Sequence, residues 1–136
     1  MKTLTTEAKT DRLDEVLAFV DGELEAAGCP MKAQMQLDIA VEELFVNIAH
    51  YAYVPGEGTA EIGVSVGEIP GTAEIRFTDS GMPFDPTTRA DPDVTLSAEE
   101  RGIGGLGIFL VRKNTDEMRY EYKDGKNVTT IRKKTL

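Results

Sequence analysis

A chain of 136 residues, 40% hydrophobic and 29% charged, fits one globular domain over 1–136, and no apolar run approaches the roughly 18 residues that cross a bilayer. Its single cysteine, Cys29, excludes an internal disulfide framework and a zinc-ligand cluster, and the opening MKTLTTEAKTDR lacks the apolar stretch of a signal peptide, so a soluble, cytoplasmic domain is expected. A net charge of −9 and a pI near 4.6 argue against nucleic acid and anionic membrane as partners.

In chain order, Leu13, Val16, Leu17, Val20 and Leu24 recur at helical spacing and predict a helix from about Asp11 to Ala27. Thr10 or Asp11 would cap it and Gly28 would stop it. Pro30 opens a second helix, with Leu37, Val41, Leu44 and Ile48 as its apolar stripe. Ile39, Phe45 and Val46 fall on other faces, which predicts a helix buried between layers, and Met31 and Met35 read as core filler.

Pro55, Gly56 and Gly58 end the helical pattern. Ala60, Ile62, Val64 and Val66 then alternate, as do Ala73, Ile75 and Phe77, and Glu68–Gly71 between them completes a hairpin. Residues 85–104 are polar and aperiodic, a length uncommon in a compact domain unless functional or disordered. A short helix from about Leu106 to Asn114 follows, then a second hairpin turning at Asp124-Gly125. The order α-α-β-β-loop-α-β-β predicts an α+β, two-layer sandwich with an antiparallel or mixed sheet backed by helices.

Three places carry candidate chemistry. Glu43 and Asn47 share one face of the second helix, one turn apart, where they could hold a hard cation or a general base, or simply form a solvated face. In Thr78-Asp79-Ser80-Gly81-Met82-Pro83-Phe84, directly after a strand, Asp79 could accept from an exocyclic amine while Gly81 admits a flat ring; an ordinary turn has the same composition. Gly102-Ile103-Gly104-Gly105-Leu106-Gly107 opens a helix, where free backbone N–H groups and the positive helix end suit an anion without basic side chains, although a glycine hinge has the same look. It is neither a Walker A loop nor, outside a βαβ unit, a dinucleotide fingerprint. His50, the one histidine, could be a phosphoacceptor, a base or a helix-end residue.

Taken together, Glu43-Leu-Phe-Val-Asn47, Asp79-Ser-Gly81-Met-Pro-Phe84 and Gly105-Leu-Gly107-Ile-Phe-Leu-Val resemble, in order and spacing, the N, G1 and G2 boxes of the GHKL ATPase superfamily with its Bergerat ATP-binding fold. Within it the chain is most similar to stand-alone bacterial anti-sigma factor serine/threonine kinases. The resemblance covers roughly Met31 to Lys134 and implies ATP and Mg²⁺ as cofactors. It makes Asn47 the Mg²⁺ ligand and Glu43 the base that positions the acceptor hydroxyl. Asp79 would bind the adenine amino group and Gly81 would make room for the base. Gly102, Gly104, Gly105, Leu106 and Gly107 would form the phosphate-binding turn, residues 85–104 the ATP lid, and Thr130 a water-mediated adenine contact.

The implied partners are an anti-sigma antagonist of the STAS type, phosphorylated on serine or threonine, a sequestered sigma factor, and a second copy in a homodimer. Two positions depart from the family pattern. Tyr51 stands where a histidine is common, with His50 just before it, and Arg101 lies four residues before Gly105 rather than two. The rival expectation is a non-catalytic, nucleotide-sensing module whose lid controls partner binding.

Overall fold

The computed structural model describes residues 1–88 and 105–135. Helix α1 (Leu13–Ala26) buries Val16, Val20 and Leu24, one seam at four-residue spacing. It begins after a 3-10 turn at Thr10–Arg12, so neither Thr10 nor Asp11 caps it. Its end is a Schellman turn: Gly28 takes φ +76°, its N–H reaches Glu25 O, and the Cys29 N–H reaches Leu24 O. Helix α2 (Met31–Asn47) starts one residue after Pro30, whose extended backbone stands just outside it. It then widens into a π-helical turn over Ile48–Ala52, a distortion that proteins often place at functional sites.

Five strands form one antiparallel sheet in the order β1-β2-β3-β5-β4. They are β1 (Lys2–Glu7), β2 (Thr59–Val66), β3 (Thr72–Asp79), β4 (Glu117–Lys123) and β5 (Lys126–Lys134). The expected hairpins are β2–β3 and β4–β5, and at the second turn Asp124 and Gly125 both have positive φ, as a type I′ turn requires. Edge strand β1 is an addition to the expected order, because KTLTTE carries too little apolar alternation to announce a strand. Helix α3 (Gly105–Asn114) completes the helical layer beside α2.

One sheet face packs on the helices. Ile62, Ile75, Phe77 and Ile131 meet Leu24, Leu37, Phe45, Ile108 and Val111 in a dry core, each such side chain worth roughly 1.5–3 kcal/mol. Toward one end the same face turns polar, where Asp79 pairs in register with Asn127 and Phe77 with Thr129. The expectation of an enclosed α2 fails on its outer side. Met31 is 63% exposed, Met35 61% and Ile39 41%, so the two methionines fill no core. At 100° per residue these positions point away from Leu37, Ala40 and Leu44, and no third layer among the described residues covers them.

Candidate functional site

Where the inward sheet face turns polar, a cavity of about 550 Å³, part of it open to solvent, lies between the sheet and the end of α2. Leu44, Ile48, Ala52, Phe77, Met82 and Pro86 give it apolar walls, and Asn47, Asp79, Asn127 and Thr129 supply its polar groups. Such a slot, mostly apolar with a few convergent polar atoms, suits a flat heteroaromatic ring. None of the described residues lining it is cationic.

Asp79, only 7% exposed, ends β3 at this cavity. Its Oδ1 accepts from the Gly81 N–H at 2.9 Å and from Asn127 Nδ2 at 3.0 Å. Among the described residues no protein donor is directed to Oδ2, which leaves that oxygen to accept from a ligand. The loop after Asp79 is pinned at alternate points. Ser80 N–H donates to the Tyr53 hydroxyl at 2.7 Å, Met82 N–H to Ala52 O at 3.0 Å, and Phe84 N–H to Asn127 Oδ1 at 3.1 Å. Gly81 is required by sterics: a Cβ there would press into the Ala52 backbone and stand 2.6 Å from the Ala52 Cβ. The room it makes is for the chain itself.

Asn127, which no sequence motif marks, is the hub. Its Nδ2 also donates to Met82 O at 2.9 Å, and its Oδ1 accepts from the Tyr120 hydroxyl besides Phe84. Burial pushes the Tyr120 phenol up, which keeps it a donor. Tyr53 was missed as well; its hydroxyl donates to Thr59 O at 2.6 Å while holding Ser80. Neither residue has a motif signature, because both act through register and tertiary placement.

Asn47 and Asp79 are brought to one cavity. Glu43, one turn before Asn47, sits beside α3, where a Cβ on Gly107 would fall 2.6 Å from Glu43 Oε2. Partial burial, and then the charge of Glu42, raise the Glu43 carboxyl above its usual range. Gly105 and Leu106 form the first turn of α3, whereas Gly102, Gly104 and Arg101 lie outside the described residues. Tyr51 lines the cavity; His50 is exposed and meets the Tyr51 ring edge-on.

The expectation for Thr130 is corrected. Thr130 pairs with Arg76 and Arg119 on the outer sheet face, while Thr129 pairs with Phe77 and Tyr120 on the inner one and lines the cavity. Successive strand residues point to opposite faces, and Ile131, fully buried, fixes the odd-numbered side as inward.

A two-layer α+β sandwich whose antiparallel sheet ends in an acidic, amide-lined cavity beside a helix defines the chain as a histidine kinase-like ATPase domain. It belongs to that family, whose model matches residues 6–133. Among similar proteins, the serine-protein kinase RsbW of Listeria monocytogenes serovar 1/2a is 33% identical over 130 residues, covering 93% of this chain and 82% of the relative. The serine/threonine-protein kinase BtrW of Bordetella bronchiseptica is 26% identical over 100 residues, covering 74% of this chain and 70% of that one. Of solved structures, the RsbU and RsbW domains of a Mycobacterium tuberculosis protein share the fold with a TM-score of 0.63 at 14% identity. That alignment covers 98% of this chain and 32% of the other.

Proposed function

We propose that the chain is a cytoplasmic, ATP- and Mg²⁺-dependent protein serine/threonine kinase of the anti-sigma factor type, a single domain over 1–136. Its substrate would be a STAS-type anti-sigma antagonist, and a sigma factor would be a second, sequestered partner. The observation that carries the reading is Asp79, buried at the cavity with both protein donors on one oxygen. The remaining oxygen suits the 6-amino group of adenine, with Thr129 rather than Thr130 as its hydroxyl neighbour.

Residues for the remaining roles fit the same reading. Asn47 offers an amide oxygen to Mg²⁺, which would neutralise charge on the phosphates where, among the described residues, no basic side chain lines the cavity. The backbone N–H groups of Gly105, Leu106 and Gly107 open α3 and suit phosphate oxygens. Glu43 would accept the hydrogen bond, and then the proton, of the acceptor hydroxyl; its raised pKa makes it the stronger base. The relatives named as serine kinases support group transfer over passive sensing.

The test is incubation with γ-labelled ATP, Mg²⁺ and a STAS-type antagonist. Label on a serine or threonine of the antagonist is the expected result. Nucleotide-dependent complex formation without label would replace the kinase with a nucleotide-sensing module.

A further inference from the structure

The exposed side of α2 lies outside the nucleotide cavity. Met31, Met35 and Ile39, spaced by four, form an apolar stripe over about two and a half turns, at positions where a solvated helix normally carries Lys, Glu or Gln. Methionine is flexible and polarisable, and surfaces that accept a partner's helix favour it. One long side of the stripe is acidic. Asp38 lies three residues after Met35, and Gln34, three after Met31, holds Glu25 of α1 at 3.2 Å.

Asp21 of α1 faces Asp38 across the groove between the helices. The Oδ1 atoms of both are buried, and no donor among the described residues reaches either. Glu42, three residues after Ile39, closes the far end, and Lys32 on the opposite flank is the one cation that α2 carries. With no counter-ion among the described residues, two carboxyl groups facing each other are costly, and either a shared proton or an arriving cation relieves them.

We propose that this face docks an amphipathic helix of a partner protein, its apolar ridge seated on Met31, Met35 and Ile39 and its Lys or Arg side chains on Asp21, Glu25 and Asp38. The stripe supplies apolar burial at i, i+4 and i+8, and the acidic side sets orientation and excludes acidic helices. The surface is separate from the nucleotide cavity, since none of its residues lines it.

A synthetic leucine–lysine amphipathic helix, with a leucine–glutamate counterpart, is the probe, titrated into the full chain without ATP. The chain carries five methionines, so methyl-labelled methionine spectra resolve the location. The signals of Met31 and Met35 should shift, while those of Met1, Met82 and Met118 stay in place. Met31→Gln/Met35→Gln should weaken the lysine peptide by at least about tenfold, and Glu25→Gln/Asp38→Asn should do likewise. Glu61→Gln/Glu121→Gln, an equal charge loss on the far face of the sheet, should leave affinity unchanged. Equal binding of the glutamate peptide, equal weakening by the far-face pair, or movement of the Met82 signal instead would overturn the proposal. Shifts of Met31 and Met35 on raising protein concentration alone would also overturn it, in favour of a second copy of this chain.

Discussion

Replacing Asn127 by alanine removes one side chain and disturbs five neighbours. Asp79 Oδ1 keeps the Gly81 N–H but loses its donor at 3.0 Å, Met82 O and Gly81 O lose donors at 2.9 and 3.4 Å, and the Phe84 N–H and Tyr120 hydroxyl lose their common acceptor. Each such group costs about 1–3 kcal/mol when buried and unsatisfied. Asn127 is itself only 5% exposed, but Asp79 Oδ1 retains a donor and the adjoining cavity lets water serve some of the others. A net loss of about 3 kcal/mol follows, or a fall in Tm of roughly 10 °C for a domain of this size.

Nucleotide affinity should fall too, by more than about tenfold, because the Asp79–Phe84 loop loses its anchor. Thermal melts with and without ATP and Mg²⁺ measure both effects. The Asn127→Asp protein is a sharper control. Its carboxylate would face Asp79, so stability should recover as the pH falls and the pair gains a proton. A melting point within about 2 °C of the parent, with unchanged ATP affinity, would refute the hub role of Asn127.

Other consequences are equally direct. Asp38 is pushed up to about 7 by burial, by its hydrogen bond to Asp21 and by the charges of Asp21 and Glu25. Between about pH 4 and 7 the unfolded chain has released this proton and the folded chain has not, so stability falls as pH rises. After allowance for solvent screening the loss is about 1–2 kcal/mol, and Asp38→Asn should abolish it in urea melts at pH 5 and 8. Glu43→Gln should keep ATP binding and lose phosphoryl transfer; in the parent protein, transfer should fade as pH drops through the raised Glu43 pKa, checked by a pH–rate profile.

Gly81→Ala meets backbone that cannot yield and should cost about 1–3 kcal/mol in denaturant melts. Gly107→Ala meets the movable end of Glu43 and should impair transfer with little loss of stability. Thr129→Val should weaken ATP binding by calorimetry while Thr130→Val leaves it unchanged.

Much of this architecture was legible in the residues, and the failures have physical causes. Helical spacing in α1, alternation in β2 and β3, and the Asp124-Gly125 turn are local signals, and each produced its element. Strand β1 was illegible because an edge strand is stabilised by pairing with Thr59–Val64 rather than by its own pattern. Asn127 was illegible because its role exists only once β5 lies beside β3 with Asn127 opposite Asp79, a register no local pattern encodes. Thr130 faces outward for a reason that parity alone supplies: Ile131 must face the core, so Thr129 and not Thr130 shares its side of the sheet. Met31 and Met35 show the opposite limit, since hydrophobicity marks a face as apolar without saying what covers it.

The central claim is that Asp79 presents one free carboxylate oxygen to the amino group of adenine. Calorimetric titration of the parent and Asp79→Asn proteins with ATP and with GTP, both with Mg²⁺, tests it most directly. The parent should bind ATP at least about tenfold more tightly than GTP, whose ring carries an oxygen in place of the amine. Asp79→Asn turns a donor toward that amine and should erase most of the difference. Equal ATP affinity in the two proteins, or no preference for ATP in the parent, would contradict the claim.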